Sequence, residues 1–228
     1  MAVNTKPFAN LVVVELASVL AGPAVGLFFA ELGATVIKIE NPTTGGDVTR
    51  KWKHPSENKD LTTSAYYHNV NWQKDAHFLN AKVPEDYAEI IRHIEKADIV
   101  ISNFRTSSAA KLKLDYDSLS RKFPKLIYGS ITSYGLSDDR PGFDALLQAE
   151  TGWMHLNGQA DGPPTKMPVA LIDLLTAHQL KEGLLVALIQ KMKTGSGAHV
   201  TASLFDSAVS ALANHCLLYT SPSPRDRG

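Results

Sequence analysis

A strand, a proline-opened helix and a second strand follow one another between residues 11 and 40, and this order limits the chain more than any other feature. Residues 11–16 are mostly Val and Leu, a continuous apolar run of strand length. Gly22-Pro23 follows, and proline suits the first helical turn, where its missing N–H has no partner to lose. Val25, Phe28, Phe29 and Leu32 then recur every three to four residues, one face of a helix, and Gly33 supplies a left-handed stop. Residues 36–40 read as the next strand. Two strands joined in this way form a β-α-β unit, which commits the chain to a parallel sheet with covered faces.

The alternation continues. Residues 41–63 are polar, with Pro42, Gly45, Gly46 and Pro55, and read as a long loop, a feature more often functional or mobile than structural. A poor strand is expected near 76–79. An amphipathic helix over 84–97 carries Tyr87, Ile90, Ile91 and Ile94 on one face, and a strand follows over 99–102. Short helices over 107–112 and 117–123 lead to a strand over 126–131 that runs into the Ser133-Tyr134-Gly135 turn. Helix is expected over 143–151, and over 171–193 as one long helix or two broken ones, stopped by Gly195. A strand over 199–204 and a helix over 205–218 complete an α/β fold: a Rossmann-like parallel sheet with flanking helices.

Charge and composition exclude several classes. Lys plus Arg and Asp plus Glu number 23 each, and no basic stripe occurs, so nothing points to nucleic acid. The longest apolar stretch, 19–32, is broken by Gly22-Pro23 and Glu31 and is too short to span a bilayer. The first residues lack a signal-peptide pattern, and the single cysteine, Cys216, forms no internal disulfide. A cytoplasmic protein without a membrane partner is expected. No His/Cys/Asp set has ligand spacing, so no metal is expected, and His155 and His178 read as structural or surface residues. Residues 217–228 lack periodicity and resemble translated adapter sequence, so residues 1–210 are read as the N-terminal large domain of a longer protein.

The run Arg140-Pro141-Gly142-Phe143-Asp144 sets one carboxylate beside a glycine in otherwise small and apolar surroundings. Taken alone, Asp144 reads as a nucleophile, a helix cap or a surface charge. Its neighbours carry a resemblance. Leu20-Ala21-Gly22-Pro23, Glu31-Leu32-Gly33-Ala34 and Val36-Ile37-Lys38-Ile39-Glu40 come first, then Gly46-Asp47 with Arg50, and the segment from Ala97-Asp98 to Asn103-Phe104-Arg105. Ser133-Tyr134-Gly135, Gly142-Phe143-Asp144, Gln148-Ala149, Thr194-Gly195-Ser196-Gly197 and Ser203-Leu204 with Asp206 follow in order. No single motif is specific, but the ordered set resembles the family III CoA-transferases of the CaiB/BaiF type.

This resemblance implies transfer of coenzyme A from an acyl-CoA thioester to a carboxylic acid through a covalent aspartyl intermediate, with Asp144 matching the catalytic aspartate. It implies an interlocked homodimer, no tightly bound cofactor, and a glycine-rich loop from later in the family's chain to meet the oxyanion. Val19, Leu20 and Ala21 match a loop that touches the pantetheine arm. Lys38 matches a cation near the nucleotide. Asn103, Phe104 and Arg105 sit at a strand exit, the ligand edge of a parallel sheet; Phe104 is expected against adenine and Arg105 against phosphate.

Asn71 and Lys74 match a family Asn-Arg-x-Lys motif, but Trp72 stands where Arg is usual and Asp75 where a cation is usual. The loss of two cations opens the reading of a divergent, non-catalytic CoA-binding chain. The family's racemases remain a second alternative: they carry His directly before the aspartate, and Phe143 here favours transfer, as does Gln148-Ala149. Near Asp173 the family's aspartate is retained. A dinucleotide dehydrogenase is rejected, because residues 17–23 lack Gly-x-Gly-x-x-Gly.

Overall fold

The computed structural model describes residues 6–158 and 161–215. Cys216 and the adapter-like segment 217–228 lie outside them. Six strands form one sheet: β1 (Val12–Leu16), β2 (Thr35–Glu40), β3 (Asp75–Phe78), β4 (Ile99–Ser102), β5 (Ile127–Thr132) and β6 (Ala198–Ser203). Their order is β3-β2-β1-β4-β5-β6 and every pairing is parallel.

The first crossover forms as its pattern dictates. Helix α1 (Ala21–Glu31) opens after Leu20 and ends where Gly33 turns at φ +100°. Phe29 is fully buried against Phe28 and Phe8, at ring separations of 5.2 and 5.3 Å. Burial of such a side chain is worth about 1.5–3 kcal/mol. Alternation along β1 sends Val13 into the core beneath α1 and Val14 into the core on the opposite face, and neither is exposed to solvent.

That opposite face is covered by α3 (Pro84–Glu95), α4 (Thr106–Lys111) and α5 (Tyr116–Ser120), with Ile90, Ile94, Leu114 and Leu119 at its centre. The α1 face also receives α8 (Leu171–Thr194), one unbroken helix of 24 residues ended by Gly195 at φ +73°, and α9 (Leu204–Ser210). Ile172, Thr176, Leu180, Leu184 and Ala187 form the buried stripe of α8. The final helix is shorter than its apolar pattern suggested, because a turn interrupts it at Ala211 and Leu212.

Three helices matter for the site. Helix α6 (Asp144–Glu150) and the single turn α7 (Trp153–Leu156) precede α8. Helix α2 (Ala65–Asn71) lies just beyond the segment read as loop, and was not expected from the sequence. Its start is fixed by Ser64, whose hydroxyl accepts from the N–H of Tyr67 at 2.9 Å. The preceding loop is also anchored. Glu40 accepts from Arg50 Nε, Tyr67 Oη and the Asp47 N–H, each at 2.7 Å. None of the described helices is long and apolar enough to cross a membrane.

Candidate active site

Strand order reverses between β1 and β4, with β2 and β3 to one side and β5 and β6 to the other. Loops leaving the carboxyl ends of strands diverge at such a point and open a crevice. Here the crevice is a cavity of about 430 Å³, walled by Ser18–Ala21 after β1 and Asn103–Thr106 after β4. Asp144, Asp173 and the rim segment 138–143 close its other side.

The β1 loop is strained. Val19 sits at φ +73°, a region that costs a β-branched residue energy unless neighbours hold it there. Its N–H donates to the Asp47 carboxylate at 3.2 Å. Asn103 secures the preceding residue twice: it accepts from the Ser18 N–H at 3.2 Å and donates to the Ser18 carbonyl at 2.9 Å. Its amide therefore shapes the loop. Leu20 and Ala21 are buried in the cavity wall, where α1 begins. That helix start carries Pro23, which removes a donor that a pyrophosphate would use.

Phe104 lines this cavity and also a neighbouring one of about 280 Å³, which has Leu16, Ile39, Leu79 and Leu112 among its walls and Lys82 at its edge. Arg105 is exposed at the mouth of the first. Phe104 thus forms part of the wall of both cavities.

The two carboxylates differ in their surroundings. Asp144, at the start of α6, is 8% exposed. Its Oδ2 accepts from the N–H groups of Ile172 and Asp173, at 2.7 and 3.1 Å, and its Oδ1 accepts from Gln148 Nε2. It caps α8 from outside, satisfying backbone donors that a helix start leaves free. Gln148, fully buried, locks the arrangement by accepting from the Met167 N–H at 2.9 Å.

Asp173, the third residue of α8, is half-buried, lines the cavity, and among the described residues its carboxylate accepts no hydrogen bond. Burial and then the nearby charge of Asp144 push its pKa up to about 7. Tyr66 shares this neighbourhood: burial first, then the charge of Asp173, raises its phenol pKa. The sequence marked Asp173 only as a secondary landmark and gave Tyr66 no role. The usable signal was a carboxylate in the first turn of the longest helix, where the dipole favours negative charge.

Lys38, Asn71 and Lys74 are not in the crevice. Lys38 is fully buried in β2, with its Nζ 2.8 Å from Glu15, 3.1 Å from Asp47 and 2.7 Å from the Ala17 carbonyl. Lys74 Nζ reaches Glu15 at 2.8 Å, the Pro23 carbonyl at 2.8 Å and Asn71 Oδ1 at 3.2 Å. Burial alone would raise the Glu15 pKa, but Lys38 and Lys74 outweigh it and hold it below its ordinary value. Burial lowers that of Lys74 to about 8. The expectation of phosphate contacts from these residues thus meets a different arrangement, an internal ion network beneath the β1 loop. Trp72 and Asp75 are exposed and line neither cavity, and His155 and His178 are exposed.

The expectation of no ligand-spaced histidine cluster needs correction. His77, Glu89 and His93 come together away from the crevice, with potential ligand atoms all within 4.8 Å of one another. Residues 12 and 16 positions away from His77 meet it only because the fold brings these side chains of α3 beside it.

The sheet has the strand order of a Rossmann fold, and Asp144 and Asp173 border its switch-point crevice where a glycine-rich dinucleotide loop is lacking, which makes this an α/β protein of the doubly wound parallel class. Residues 8–228 match CoA-transferase family III, and the chain belongs to that family. It is 41% identical over 95% of its length to a succinate–glutarate CoA-transferase of Agrobacterium fabrum, covering 56% of that protein. It is 35% identical over 92% of its length to the human succinyl-CoA:glutarate CoA-transferase, covering 48% of it. The crystal structure of a CAIB/BAIF family protein from Brucella suis matches with a TM-score of 0.90 and 37% identity, over 96% of this chain and 58% of that one. The chain thus spans about half the length of the curated relatives it matches.

Proposed function

We propose that the protein to which this chain contributes transfers coenzyme A between small dicarboxylic acids, and that Asp173 is the nucleophile while Asp144 positions it. The observation that carries this reading is the contrast between the carboxylates: both Asp144 oxygens are engaged, whereas Asp173 lines the crevice and accepts no hydrogen bond among the described residues. It supports assigning the catalytic role not to Asp144 but to the aspartate 29 residues later, whose backbone N–H donates to Asp144.

In this reading the Asp173 carboxylate attacks the thioester carbonyl carbon. The carbon–sulfur bond breaks, leaving a mixed anhydride and CoA thiolate. The thiolate then attacks the aspartyl carbonyl, the donor acid departs as its carboxylate, and an aspartyl-CoA thioester remains. The acceptor carboxylate attacks that thioester and expels thiolate, which finally attacks the acyl carbonyl of the new anhydride. Acyl-CoA leaves and the Asp173 carboxylate is restored. Phe104 bridges the two cavities as the platform CoA crosses, with Arg105 and Lys82 at their mouths as phosphate partners. The dicarboxylate assignment follows the activities named for the relatives.

The racemase alternative is disfavoured by Phe143, which is 70% exposed at the crevice and offers no proton. A homodimer fits the apolar side chains left exposed, among them Phe143 at the crevice and Leu146 and Val169.

The test joins this chain to the C-terminal portion of its Agrobacterium relative and supplies succinyl-CoA with glutarate, oxalate, carnitine or formate. Chromatography of the CoA esters should show glutaryl-CoA formed preferentially. Selective use of a monocarboxylate would overturn the substrate class, and absence of any transfer, with CoA binding intact, would favour the non-catalytic reading.

A further inference from the structure

We propose that His77, Glu89 and His93 form a transition-metal site of the Zn²⁺ class at the open edge of the sheet, separate from the crevice. Glu89 and His93 lie one turn apart on α3 and therefore share a face. His77 reaches them from β3, the edge strand, whose only sheet neighbour among the described residues is β2. The His77 and His93 rings meet edge to face with centroids 4.9 Å apart. Glu89 Oε1 lies 3.7 Å from His93 Nε2, beyond hydrogen-bond reach.

One ring nitrogen of the set makes no hydrogen bond to any described residue. His93 Nε2 is the only buried side-chain polar atom among the described residues without a hydrogen-bond partner. Such atoms are rare and call for an explanation. Two imidazoles and one carboxylate are ligands suited to Zn²⁺. Bonds of about 2.0–2.2 Å in tetrahedral array put ligand atoms about 3.3 Å apart. The ligand atoms, all within 4.8 Å of one another, would draw closer together around a bound ion. The competing partner of Glu89 is Arg92, at 3.9 Å and 68% exposed, a weak surface pair. Three protein ligands leave a fourth position for water, and the ion would pin the four-residue edge strand to α3.

The test uses the whole chain with Co²⁺ as a spectroscopic probe and Zn²⁺ as competitor. One equivalent of Co²⁺ should give visible d–d bands of a tetrahedral site, erased by Zn²⁺. His77→Gln and His93→Gln should each weaken binding by about tenfold or more, since even outer-shell changes at metal sites cost 10–100-fold. Glu89→Gln should weaken it as well, and His178→Gln should leave it unchanged. Absence of bands in the unaltered protein, or bands that persist in both histidine variants, would overturn the proposal. Should the variants fail to fold by circular dichroism, anomalous scattering at the zinc edge from crystals of the unaltered chain decides. A peak between the three side chains supports the site, and no peak there rejects it.

Discussion

Asp173 and Asp144 share one helix start but are offered different chemistry, and their substitutions should separate. Asp173→Asn removes the proposed nucleophile, so transfer in the joined protein should fall by at least about 10³-fold. Asp144→Asn keeps an oxygen to cap α8 and should leave measurable turnover. The pH dependence carries a definite sign. A carboxylate must be ionised to attack, so kcat/KM should rise through pH 7 and level off above it. Asp144→Asn removes a like charge, lowers the Asp173 pKa and shifts this limb to lower pH. Linkage gives the same group a stability signature. A carboxyl whose folded pKa lies above its unfolded value of 3.8 stabilises the fold at low pH, and that contribution is lost as pH rises through 7. Urea unfolding of the parent and Asp173→Asn across this window should show the loss in the parent alone.

Among the elements, β1, β2 and α1 form one mechanical unit around Glu15, Lys38 and Lys74. Breaking a buried pair leaves a charge without compensation, so Lys38→Met should cost about 3–5 kcal/mol of stability by urea unfolding. A role in phosphate binding predicts instead an unchanged fold with a raised KM for acyl-CoA. Gly26 belongs to the same unit: a Cβ there would meet the Glu15 carboxylate. Gly26→Ala should therefore destabilise by about 1–3 kcal/mol. Periodicity made these strands and the helices α1, α3 and α8 legible, since each buries one regular stripe. It did not show that Lys38 faces inward. In register, Lys38 pairs with Glu15 across the β1–β2 ladder, and only the fold brings Lys74 to the same carboxylate. Helix α2 was hidden for a related reason. Its signals, the Ser64 cap and the Tyr67 and Val70 pair, sit behind a polar Gly- and Pro-containing segment that outweighs them.

For the molecule as a whole, the switch-point location of the site was legible once the β-α-β order was read, because parallel sheets place ligands at that edge. The different surroundings of the two carboxylates were not, since two aspartates 29 residues apart converge there through a hydrogen bond the sequence cannot display. Exposed Phe143 at the crevice, together with exposed Leu146 and Val169, leaves apolar surface for further protein to cover. Sedimentation of the joined protein should accordingly give a dimer, and a monomer at micromolar concentration would remove the dimer from this account.

The central claim is that Asp173 forms the covalent intermediate. The direct measurement incubates the joined protein with succinyl-CoA, traps the aspartyl thioester with borohydride or hydroxylamine, and maps the modified peptide by mass spectrometry. The account predicts the mass shift on Asp173, absent in Asp173→Asn and retained in Asp144→Asn. A shift on Asp144 would contradict it and return the nucleophile to the start of α6.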